Sequence, residues 1–103
     1  MIQLTIHKSS ETARIDLAGR FDFNGRKLMR EAYDPILADS KIKSIEIGLE
    51  KVDYIDSSAL GILLLLRERA EENQKKVVLC RAQGTVGKVL AVANFNRLFE
   101  IRE

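Results

Sequence analysis

The sequence predicts an α/β fold, a mixed, mostly parallel small sheet with crossover helices, within one domain spanning residues 1–103. Three observations carry that expectation. The chain opens with two runs of period-two apolar alternation, strand patterns then alternate with helical ones, and 103 residues suit a single hydrophobic core.

Ile2, Leu4 and Ile6 alternate with Gln3 and Thr5, and Ala13, Ile15 and Leu17 alternate with Thr12, Arg14 and Asp16. These are two half-buried strands joined through Ser9-Ser10-Glu11, an edge hairpin that supplies the antiparallel piece. Gly19 is expected to end the second strand, and Phe21 to Gly25 leads into a helix carrying Leu28, Met29, Ala32, Tyr33, Ile36 and Leu37. Pro35 either kinks that helix or divides it near Asp34, because proline lacks the amide donor and crowds the preceding turn. A strand is expected from Ile42 to Leu49, with Val52 and Ile55 following a charged Glu50-Lys51 interruption. Next come a helix from Ser58 to about Asn73, a strand from Lys76 to Cys80, a helix from about Thr85 to Val92, and a terminal strand from Leu98 to Ile101. The order is ββαβαβα(β), which implies parallel strands linked by helical crossovers.

Composition excludes several classes of function. Seventeen Lys/Arg against fifteen Asp/Glu leave a formal charge of +2 with the signs interspersed. No basic stripe tracks a phosphate backbone, so nucleic acid is not an expected partner. The longest apolar run, Ala59 to Leu66, is far short of the roughly 20 residues that span a bilayer, and the amino terminus lacks the features of a secretory signal. A cytoplasmic protein with no membrane attachment is expected, and a monomer, since no heptad array or dimer seam is present. Cys80 is the only cysteine, and after Val77, Val78 and Leu79 it reads as a core strand position.

The chemistry concentrates at Tyr54-Ile55-Asp56-Ser57-Ser58-Ala59-Leu60-Gly61, where an apolar strand gives way to a hydrophobic helix. Asp56 or Ser57 serves as its N-cap, accepting from one of the free amides of the first turn. A phosphate on either serine would sit among amides that favour negative charge, beside the Asp56 carboxylate. The following five aliphatics, Ile62 to Leu66, surround the helix axis, so they are either covered by neighbouring helices or in part exposed as a binding surface.

Catalysis finds little support. His7 is the only histidine and has no companion ligands near it in sequence; a serine hydrolase would need it to reach Ser57 or Ser58, and the Gly-x-Ser-x-Gly frame is absent. Gly84-Thr85-Val86-Gly87-Lys88 lacks the spacing of a phosphate loop and reads as a helix start capped by Thr85, with small-ligand binding there a weak alternative. Asp22, Asp53 and Asp56 are scattered acids with ordinary turn and cap duties, so neither a metal site nor a cofactor is expected.

Asp56-Ser57-Ser58-Ala59-Leu60-Gly61, following the apolar strand and Val52-Asp53-Tyr54-Ile55, resembles the signature of the STAS domain, the fold of bacterial anti-sigma factor antagonists. Gly19-Arg20-Phe21-Asp22 resembles the glycine and acidic loop before that family's first helix. Gly84-Thr85-Val86 through Phe95, closing on Leu98-Phe99, resembles its last helix and terminal strand. Ala59 departs from the glycine often found there.

The resemblance implies a non-enzymatic partner-switching protein. An anti-sigma factor that is also a serine kinase of histidine-kinase-like fold would bind the dephosphorylated domain and use ATP to phosphorylate Ser57, and a metal-dependent serine phosphatase would restore binding. Asp22 and Asp56 match the acidic residues close to the phosphorylated serine. The surface expected to meet the partner comprises Asp22, Asp56, Ser57, Ser58, Leu60 and Ile62. The alternative is a STAS adaptor or structural subunit of a signalling or transport complex that uses the same fold without phosphorylation.

Overall fold

The computed structural model describes residues 2–103. β1 (Gln3–Lys8) and β2 (Thr12–Phe21) form the antiparallel hairpin, with Ile6 opposite Ile15. A short 3₁₀ turn, Phe23–Gly25, leads into α1 (Arg26–Ala38); β3 (Ser44–Ile55), α2 (Ser57–Glu72), β4 (Lys76–Cys80) and α3 (Gly84–Val92) follow. A second 3₁₀ turn, Phe95–Arg97, precedes β5 (Glu100–Arg102). The five strands stand in the order β1-β2-β3-β4-β5, and every pair after the hairpin is parallel.

This topology makes the sheet one-sided. Each parallel connection steps to the next neighbour in the same direction, and crossovers of the usual right-handed sense then lay all three helices on one face. Burial agrees with that arrangement. Ala13, Ile15, Leu17, Ile45, Ile47, Leu49, Val77 and Leu79 point into the core with Met29, Tyr33 and Ile36 of α1, Ile62, Leu63 and Leu66 of α2, and Val86 and Leu90 of α3. The opposite face carries Arg14, Asp16, Glu46 and Arg102, in ion pairs such as Arg102–Glu46 at 3.4 Å and Arg14–Asp16 at 3.1 Å.

Several boundaries differ from the expected ones for identifiable reasons. β3 does not stop at Leu49 but continues to Ile55, because two register shifts against β2 each insert one residue. Asp16 pairs with Gly48 but Ala18 with Lys51, and Gly19 pairs with Val52 but Arg20 with Tyr54. The inward positions therefore run Leu49, Val52, Ile55, at a spacing of three that hides the strand period. Gly19, with φ 90°, sits at the second shift and bends β2 without ending it. α1 passes through Pro35 undivided; Pro35 and Glu31 are both exposed, so the carbonyl left without a donor faces water. α3 has Gln83 at its N-cap position with no side-chain bond, and Thr85 lies inside the helix. Leu98 and Phe99 precede β5, and Phe99 is buried with its ring stacked on Phe95 at 5.2 Å.

Lys75, just before β4, is the one buried charged side chain among the described residues. Its ammonium donates to the carbonyl oxygens of Asp39 and Ile42, both at 2.8 Å, and so ties the loop after α1 to the start of β4. Cys80 is buried as its strand pattern implies, and burial raises its thiol pKa.

Candidate functional site

Two neighbouring parallel strands end side by side, with Phe21 paired to Ile55, and each is followed by an aspartate. Asp22 and Asp56 both have extended backbones, and each turns its carboxylate back onto the element it precedes. Asp22 accepts from the Asn24 amide at 3.0 Å, and Asp56 accepts from the Ala59 amide at 3.0 Å. Asp56 is therefore the N-cap of α2 and Ser57 is its first residue, which decides between the two capping candidates. The strand register carries the two aspartates forward together, and α2 packs against the 3₁₀ turn that Asp22 caps. Helix entrance, acid pair and serine hydroxyls thus share one end of the sheet, beyond the carboxyl ends of β2 and β3.

Ser57 is exposed and Ser58 half-buried. Ser57 consequently offers its hydroxyl to solvent, while the cap bond leaves it free of that duty. The second oxygen of Asp22 accepts from Arg20 Nε at 3.0 Å, and the Arg20 guanidinium lies over the Tyr54 ring at 3.7 Å. Arg26 lies over Phe23 at 4.5 Å, and Phe23 is 56% exposed at the tip of the turn. These stacked pairs were not among the expected site residues. Arg20 and Tyr54 meet only because the bulged register makes them partners across β2 and β3, and no local pattern in the chain encodes that.

The aliphatic run divides between core and surface. Ile62, Leu63 and Leu66 are buried, whereas Leu64 and Leu65 are 38% and 44% exposed. Ile62 thus belongs to the core and not to the outer side of α2 expected for it; a helix turn places Leu64 and Leu65 outward instead. Leu60 is half-buried and forms an apolar groove with Val89, Val92 and Ala93 of the α3 segment, with Lys88 at its margin. Val92 is 84% exposed, the most exposed large apolar side chain described. The expected surface along α2 therefore has a second wall on α3.

The other chemical candidates lie elsewhere. His7 is exposed on β1 with Nε2 3.5 Å from Asp16, on the open sheet face. Among the described residues no group of three or more His, Cys, Asp or Glu side chains could hold a metal ion, and no helix is long and apolar enough to cross a membrane.

Comparison with known proteins agrees with this architecture. Residues 4–101 match the family model described as Mlab, STAS domain. The chain belongs to the STAS domain family. A STAS-domain containing protein of Pseudomonas aeruginosa is 38% identical over 87 residues, covering 84% of each chain. The anti-sigma factor antagonist SpoIIAA in its unphosphorylated form superposes with a TM-score of 0.81 at 20% identity, covering 96% of this chain and 87% of that one. The Bacillus cell fate determinant SpoIIAA in its phosphorylated form gives a TM-score of 0.74 at 19% identity, covering 96% and 90%. At those identities the two structures establish the STAS fold, a mixed, mostly parallel five-stranded sheet with crossover helices. The chain is thus a STAS domain whose fold is that of solved anti-sigma factor antagonists.

Proposed function

We propose that this chain is a cytoplasmic anti-sigma factor antagonist that works by partner switching as a single domain. Unmodified, it binds an anti-sigma factor that is also a serine kinase of histidine-kinase-like fold. Transfer of the ATP γ-phosphoryl group to the Ser57 hydroxyl ends that binding, and a metal-dependent serine phosphatase restores it. The chain itself contributes the acceptor hydroxyl and no turnover.

The observation that carries this reading is the position of Ser57: solvent-exposed, first in α2, released from capping by Asp56, and at the end of the sheet that holds Asp22. The α2 amides can hold a phosphate there with little change in fold. The added charge of about −1.5 to −2 falls beside the Asp56 carboxylate and at the sheet end that holds Asp22, whose carboxylate already engages Arg20. A partner seated over Ser57, Ser58 and the Leu60 groove would then meet an uncompensated charge inside a desolvated seam, a loss of about 2–5 kcal/mol. Each 1.4 kcal/mol changes the equilibrium about tenfold, enough to exchange partners. The existence of a related antagonist in phosphorylated and unphosphorylated forms is consistent with the proposal.

Incubation with the partner kinase and ATP, followed by intact-mass and fragment analysis, tests the assignment. A single phosphate on Ser57, absent from Ser57→Ala, is expected. Label on Ser58 alone, or full labelling of Ser57→Ala, would overturn it. A non-phosphorylated adaptor would rely on the apolar α2–α3 groove alone, and its affinity for a partner would be equal for Ser57→Ala and Ser57→Asp.

A further inference from the structure

The face of the sheet that the helices leave open carries a second constellation, independent of the Ser57 end. An open cavity of about 330 Å³ is lined by Arg14, Asp16, Gly48, Glu50, Lys51 and Arg81, within the size range of small-ligand sites. Three local features converge on it. The first β3 bulge places Glu50 and Lys51 at its rim. Gly48 forms part of the floor, where a Cβ would lie 2.1 Å from Asp16 Oδ1 and 3.1 Å from an Arg81 guanidinium nitrogen. Arg81 itself adopts a left-handed backbone, φ 56°, as it leaves β4, a conformation that is costly for a residue with a Cβ and that turns its guanidinium onto the cavity.

The cavity holds unengaged groups of both kinds, several cationic donors and one buried acceptor, Asp16 Oδ1, which has no hydrogen-bond partner. Arg14 donates to Asp16 Oδ2 at 3.1 Å through Nε alone. Arg81 approaches Asp16 Oδ1 at 3.5 Å and Glu50 at 3.9 Å without forming a hydrogen bond to either, and Lys51 has no ion-pair partner among the described residues. His7 adds a third contact to Asp16, at 3.5 Å. Asp16 is thus contacted by Arg14, Arg81 and His7, while the Lys51 ammonium and most of the Arg14 and Arg81 nitrogens have no protein acceptor. Three cationic donors from three different segments suit an anion with at least three acceptor oxygens better than a carboxylate with two. We propose that this cavity binds a phosphate group, free or carried as the monoester of a small metabolite, with Arg14, Lys51 and Arg81 as its donors. Asp16 in the lining and Glu50 on the rim both oppose the anion and set a limit on its affinity.

Amide chemical shifts of the full chain, followed on addition of inorganic phosphate and separately of adenosine 5′-monophosphate, test the site, with sodium chloride matched for ionic strength as the control. Saturable shifts centred on Arg14 to Leu17, Gly48 to Lys51 and Arg81 are expected. Tighter binding of one probe identifies the free or the esterified source. Lys51→Ala, an exposed change that leaves the fold intact, should weaken binding about tenfold, and Glu50→Gln should tighten it. Ser57→Ala should bind phosphate as the unaltered chain does, so the result is independent of the switch. Shifts that do not saturate, or equal dissociation constants for Lys51→Ala and the unaltered chain, would overturn the proposal.

Discussion

At the scale of single residues, two neighbouring serines and an aspartate divide three tasks. Asp56 caps α2, Ser57 presents a hydroxyl to solvent, and Ser58 turns partly inward. Asp56→Ala should therefore lower stability by about 1 kcal/mol in urea unfolding, while Ser57→Ala should stay within about 0.5 kcal/mol, because the cap bond belongs to Asp56. Equal losses at the two positions would reassign the cap. Lys75 makes a sharper case: removing its ammonium leaves the Asp39 and Ile42 carbonyls without their side-chain donor. Lys75→Met should cost about 1–3 kcal/mol by the same measurement. The acid-serine cluster was legible in the chain because its members are neighbours or sit at recognisable turn positions. Lys75 and the Arg20–Tyr54 stack were not, since each depends on a partner that only the folded register brings near.

Among the elements, β4 is legible in the chain with its full bounds and α2 to within one residue, because each has an unbroken apolar signal bounded by polar residues. β3 was read short. Its two bulges change the inward spacing from two to three after Leu49, and a continuous strand then looks like a strand, a charged gap and isolated apolar residues. α2 also explains why a run of aliphatics can serve both core and surface. Leu63 is fully buried and Leu64 is not, so Leu63→Ala should cost about 2–5 kcal/mol of stability and Leu64→Ala less than about 0.5 kcal/mol. If α2 is the docking element, Leu64→Ala should nonetheless weaken partner binding in a titration. Unchanged affinity for Leu64→Ala would move the partner off this side of the helix.

At the scale of the whole molecule, the ordered march of strands places the helices on one face and leaves the other as a lattice of ion pairs. The two faces suit different roles. The carboxyl end of the parallel strands gathers Asp22, Asp56 and Ser57 beside an apolar groove, a combination of area for affinity and charge for register. The open face gathers small charged cavities. The proposed partner switching would then be a property of one end of the sheet, where a single charge change alters the surface without disturbing the core that lies behind it. Switching at Ser57 is tested by measuring the affinity of the partner kinase, without nucleotide, for the unmodified chain, the Ser57-phosphorylated chain, Ser57→Ala and Ser57→Asp. Near-equal binding of the unmodified chain and Ser57→Ala is expected, with phosphorylated Ser57 and Ser57→Asp weaker by about tenfold or more; four equal affinities would rule out a switch at Ser57.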